Sequence, residues 1–143
     1  MNTTEKRLGR SILAVLLGFL AVAVLSTVTD AIMHASSVFP RHGVMSDALF
    51  VLALTYRIAF TVFGGFLTAK LAPNHPRKHA IILGAIGTFF AMVGAAATWN
   101  RGAEFGPHWY PIALVITALP SILAGEILAR RSHRAAIGRA TRS

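Results

Sequence analysis

DALFVLALTYRIAFTVFGGFLTAKLAP, residues 47–73, is the stretch on which the reading of this chain turns. At 1.5 Å per residue it is long enough to cross a bilayer core of about 30 Å as a helix. Arg57 nevertheless sits close to its middle. A central Arg costs about +2.5 to +3.5 kcal/mol on the insertion scale, and each Leu, Ile, Phe or Val returns about −0.3 to −0.6. Eleven such residues lie between Ala48 and Ala69, worth roughly −3 to −7 kcal/mol as an upper bound. The segment inserts, but Arg57 takes back a sizeable part of the gain and calls for a partner.

Working outward, the whole chain has the composition of a membrane protein. Its 143 residues are 55% hydrophobic and 13% charged, about half the charge of an ordinary soluble domain. The absence of cysteine excludes disulfide scaffolds, thiolate metal sites and CxxC redox chemistry. A net charge of +9 resembles a nucleic-acid signature, but the Lys and Arg fall in short clusters between apolar runs. That placement sets membrane orientation; nucleic-acid binding needs a basic face on a soluble fold, so no nucleic-acid partner is expected.

Four apolar runs follow one another, at about 11–33, 47–72, 80–99 and 109–130. The expected fold is therefore all-α, a single membrane domain over 1–143 with four transmembrane helices in an up-down bundle. A cleaved signal peptide is the competing reading of the first run, with Lys6, Arg7 and Arg10 as its basic head and Ala21-Val22-Ala23 as the cleavage site. The run continues past that site, which favours a retained helix. Residues 34–46 make a loop turning at Pro40-Arg41-His42-Gly43, and Ser46 or Asp47 is placed to cap the second helix. Pro73-Asn74-His75-Pro76 ends it, and Arg77-Lys78-His79 leads into the third. So short a connection predicts antiparallel neighbours. Pro111 is tolerated in the first turn of the fourth helix, and the basic tail 131–143 reads as frayed.

Basic residues give the orientation. Lys6, Arg7, Arg10, Lys70, Arg77, Lys78, Arg130, Arg131, Arg134, Arg139 and Arg142 all belong to one side, against Arg41 and Arg101 on the other. This bias predicts a multi-pass inner-membrane protein with both termini cytoplasmic. Trp99, Trp109 and Tyr110 then sit at the outer interface, where amphipathic rings belong. The bilayer is the first partner expected; the chain itself or a larger membrane complex are the others.

Helices in lipid associate through small residues. A helical wheel puts Ala53, Arg57, Thr61, Gly64 and Thr68 in one stripe of the second helix, with Leu52, Val62, Phe63 and Phe66 towards lipid. The third helix has a similar stripe, Gly84, Thr88, Ala91, Ala95 and Thr98. The two stripes are expected to face each other. In the fourth helix Ser121-x-x-x-Gly125 follows Pro120. That proline frees the carbonyl of Ile116, which Thr117 is placed to satisfy.

Asp30, near the outer end of the first helix, is the expected partner of Arg57. By helical rise Arg57 lies about 15 Å, and Asp30 about 5 Å, below the outer surface, a gap that an extended Arg largely closes. Two readings attach to the pair: a solute, ion or proton element, or a structural lock between two helices. Tyr56 points about 100° away from Arg57 and need not share its site. With Ser26 and His34 it is a candidate to support the pair, by a hydrogen bond across helices, against the commoner reading of plain packing. Ser26, Asp30 and His34 share one helical face, and a metal reading would add His42, Asp47 or His108, but no tight ligand spacing supports it. No metal and no cofactor is expected; every His lies outside the spans or at their edges, which argues against buried bis-His haem. Glu126, four residues before Arg130, reads as an i, i+4 pair with both side chains snorkelling to the interface. No nucleophile with its base, paired deep carboxylates or phosphate loop is present, so no enzyme is expected.

Tyr56-Arg57 through Gly64-Gly65-Phe66-Leu67-Thr68-Ala69-Lys70-Leu71-Ala72-Pro73, with Ala97-Thr98-Trp99-Asn100 and Trp109-Tyr110-Pro111, resembles a set of small bacterial four-helix integral membrane proteins of unknown function. The resemblance covers about 11–130 and implies a bacterial inner-membrane protein with four spans; it brings no activity or site residues. The leading expectation is a non-enzymatic scaffold or accessory subunit. The alternative is a small oligomeric transporter or channel that uses the Arg57/Asp30 region.

Overall fold

A computed structural model describes residues 3–140; Arg142, counted above among the basic residues, lies outside them. The described residues form four long helices, α1 (Thr3–Ala35), α2 (Asp47–Leu71), α3 (Pro76–Thr98) and α4 (Trp109–Ala140), with a single 3₁₀ turn at Ala103–Phe105. All four are long and apolar enough to cross a membrane.

Helix ends depart from the apolar runs where charge does not interrupt a helix. α1 starts inside the basic head and α4 runs on to Ala140, so the tail is not frayed over 131–140. Ala and Arg are strong helix formers, and lengthening an existing helix avoids the nucleation cost. α3 starts at Pro76 rather than near residue 80, because His75 takes a left-handed conformation (φ 40°, ψ 58°) and Pro76 follows at the first helical position. Arg77, Lys78 and His79 are therefore in its first turn. Ser46 is the residue before α2, but its side chain makes no capping bond; its carbonyl accepts from the Leu49 and Phe50 N–H groups.

Close pairs set the arrangement. Thr68 of α2 is fully buried and its Oγ1 donates to the Ala14 carbonyl of α1 (3.2 Å). Gly18 and Gly64 meet there, each on the other's backbone. Asp30 at the far end of α1 meets Tyr56 and Arg57, so α1 and α2 run in opposite senses. α2 and α4 run in the same sense, Phe50 packing against Tyr110 (5.0 Å between ring centres) at one end and Gly65 lying on the Ile122 backbone further along. A Cβ on Gly125 would fall on the Val62 carbonyl and the Phe66 nitrogen. Gly84 against Leu119, with Trp99 stacked on His108 (4.5 Å), sets α3 opposite to α4.

The two small-residue stripes share only part of their length: Arg57 and Thr61 of α2 and Ala91 of α3 line one cavity, and the remainder turns to other helices. Gly64 and Thr68 of α2 meet α1, and Gly84 of α3 meets α4. A wheel gives a stripe its direction but not its neighbour; Gly65, one residue off the α2 stripe, together with Gly125, admits α4 closest to α2. Thr117 also differs: it donates to Ala113 (2.7 Å), one turn back, rather than to Ile116. This is the usual back-bond of a helical Thr. α4 is helical without a break through Pro120.

Large apolar side chains cover the outside, Phe89 at 57% and Ile116 at 66% exposure among them. The packed centre is small: Ala80, Leu83 and Ile122, with Val15 and Phe19 against it. Helices that turn Leu, Ile and Phe outward and small residues inward are consistent with a multi-pass membrane protein.

Candidate functional site

Asp30 lies on α1 five residues before the helix ends, and α2 brings two consecutive side chains to it. Tyr56 Oη donates to Asp30 Oδ1, and Arg57 Nη2 donates to Asp30 Oδ2. The two donors do share a site. Side chains 100° apart can straddle a carboxylate on a neighbouring helix, because its two oxygens accept from both sides. Tyr56 also packs on Phe60 (5.8 Å), and Thr61 Oγ1 donates to the Arg57 carbonyl (2.7 Å).

The pair is not sealed. The Arg57 and Asp30 side chains keep 33% and 30% of their surface exposed, and Arg57 lines a cavity of about 300 Å³ to which all four helices contribute. Ser26 of α1, Thr61 of α2, Ala91 of α3 and Thr117 of α4 are among its walls. α1 packs mainly on α2 and less on α3, with little contact to α4, and the cavity lies where the four helices converge. Asp30 is held on both oxygens, whereas Arg57 Nε is buried with no acceptor. Arg57 is the charged residue on a cavity lining that otherwise mixes apolar side chains with the hydroxyl residues Ser26, Thr27, Thr61 and Thr117.

The other singled-out residues fall into place around it. Ser26 is buried on the cavity wall, but His34 turns back on its own helix: Nδ1 donates to the Asp30 carbonyl (2.8 Å) and the ring meets Phe39 edge-on. Ala91 lines the cavity, and Thr88 Oγ1 is buried with no partner. Gly64, Thr68 and Gly84 serve helix contacts away from the cluster. His108 donates from Nε2 to the Trp99 carbonyl (3.0 Å) and Trp109 Nε1 to Asp47 Oδ1 (3.4 Å), so these belong to a rim of rings rather than to the cluster. Among the described residues no three His, Cys, Asp or Glu side chains gather as a metal site would require.

Glu126 pairs with Arg130 (2.7 Å) but does not reach for the interface; it is only 1% exposed. Gly125 brings α4 so close to α2 that this stretch of the helix is covered, and Glu126 lies beside the His75–Lys78 turn. Its position near the end of the apolar run gave no sign of this burial, since the covering comes from a neighbour's backbone.

The class this defines is an all-helical protein with four helices fit to span a membrane and a polar cluster at an inter-helix cavity. No protein-family model matches the chain, and neither a curated protein nor a solved structure matches it significantly.

Proposed function

We propose that this chain is a bacterial inner-membrane protein with four up-down spans and cytoplasmic termini, acting without catalysis as a small oligomeric transporter or channel. The observation that carries the reading is Arg57, paired to Asp30, lining a cavity between all four helices. A guanidinium among mostly apolar walls, with the Ser26, Thr61 and Thr117 hydroxyls nearby, favours a small, largely apolar monoanion. At about 300 Å³ the space is at the lower end of small-molecule sites. The membrane reading is supported by the basic bias towards one end of the bundle and the rim of Trp99, Trp109 and Tyr110 at the other.

The scaffold or accessory-subunit reading is the second. The observation in its favour is the cluster itself, which ties α1 to α2 through both oxygens of Asp30. Proteoliposome uptake of benzoate separates the two. Transport predicts flux above that of empty vesicles, lost in Arg57→Met while the variant stays folded. Wild-type flux no greater than that of empty vesicles overturns transport of this class.

A further inference from the structure

At the end of the bundle away from the aromatic rim, the α2–α3 turn meets the helical extension of α4. Between them lies a cleft of about 530 Å³. Lys70 stands on one wall and Arg130, His133 and Arg134 on the other, with Pro73 and Pro76 among the apolar lining. The extension makes the cleft. Arg130 and Arg134 are one helical turn apart on the face that carries Glu126, so continuing α4 beyond its apolar run holds both guanidinium groups over the turn. Glu126 partly neutralises Arg130 (2.7 Å). Lys70, whose Nζ lies 5.6 Å from the Phe66 ring centre, and Arg134 have no carboxylate within 4 Å among the described residues. Acidic residues at this end of the chain are limited to Glu5 and Glu126.

From this we infer that the cleft is a binding site for the phosphodiester group of an anionic phospholipid. Arg134 and Arg130 supply planar donors for phosphate oxygens and Lys70 a point charge. The apolar lining suits the glycerol and first acyl carbons. Depth agrees: Lys70 lies one residue before the end of α2, and Arg130 ends the apolar run of α4, the level at which headgroups meet basic clefts between helices. The inference rests on the chain spanning a bilayer and is independent of transport through the Arg57 cavity.

The test uses the full chain in nanodiscs of phosphatidylcholine carrying a small fraction of fluorescent phosphatidylglycerol, read by energy transfer from the protein. Wild type should enrich phosphatidylglycerol around itself. Lys70→Gln with Arg134→Gln should lower the apparent affinity roughly thirtyfold at low salt, the worth of two basic residues at a membrane surface. Lys6→Gln with Arg10→Gln, which removes equal charge from α1 at the same surface, should lower it by clearly less than the cleft pair does. Lys70→Arg with Arg134→Lys keeps the charge and should restore most of the enrichment, which separates binding from a folding defect. Equal losses in the two Gln pairs, or no preference in the wild type, would overturn the site. Competition by inorganic phosphate at millimolar concentration would also overturn it in favour of a free-anion site. Failure of wild type to enter nanodiscs at all would instead sink the membrane reading beneath it.

Discussion

Three side chains from two helices neutralise a charge that neither helix would hold alone. Arg57 needs Asp30 because a lone guanidinium at that depth is costly, and Asp30 takes a second donor from Tyr56. Removing one partner from a fully buried pair costs about 3–5 kcal/mol. Here both side chains keep about a third of their surface open (33% and 30%), so Asp30→Asn or Arg57→Met should each destabilise by about 1–3 kcal/mol. The double variant should recover part of that, and unfolding in mild detergent measures the cycle; strictly additive losses would refute the coupling. Tyr56→Phe removes one hydrogen bond and should cost about 0.6–1.7 kcal/mol. Thr88 offers the reverse case. Its hydroxyl is buried and unpartnered, so Thr88→Val should leave stability unchanged or raise it by up to about 1 kcal/mol in the same assay. Asp30 and Arg57 stood out in the sequence because charges in apolar runs are rare. Tyr56 was legible only as a candidate supporting residue beside the pair, since a wheel separates adjacent residues without showing that a neighbour's carboxylate lies between them.

At the scale of helices, glycines decide which pairs come close. Gly125 lies on the α2 backbone, where a methyl group has no flexible side chain to displace. Gly125→Ala should therefore destabilise by about 1–3 kcal/mol. Gly87→Ala meets nothing within 4 Å and should be neutral or stabilising by up to about 1 kcal/mol, as a helical Gly gives way to Ala. Comparative thermal unfolding of the two variants checks both. The number and the middles of the four helices were legible, because long apolar runs bounded by Pro, Gly and charge admit few alternatives. Helix ends were less so: Lys and Arg mark where a bilayer stops, not where hydrogen bonding stops, and α1 and α4 continue through them. Partner choice was not legible either. The Gly64/Thr68 stripe faces α1, and a glycine one position away recruits α4.

For the molecule as a whole, charge asymmetry predicts the orientation, and the cavity lies where α1 meets the other three helices. A reporter fused after Ser143, which lies outside the described residues, should report a cytoplasmic C-terminus, and an external one would overturn the proposed topology. The cavity itself was beyond the sequence, since it depends on which helices pack closely, and α1 makes little contact with α4. The absence of native cysteine allows its solvation to be read directly. Ala91 lines the cavity seven residues before the outer end of α3, and Ile116 lies seven residues into α4, 66% exposed on the outer surface. In proteoliposomes, a membrane-impermeant thiosulfonate should label Ala91→Cys readily and Ile116→Cys at least tenfold more slowly, because the thiolate it attacks forms in water and not in lipid. Equal, slow labelling at both positions would mean that no water reaches Arg57, and would contradict the proposal that this pair serves a solute.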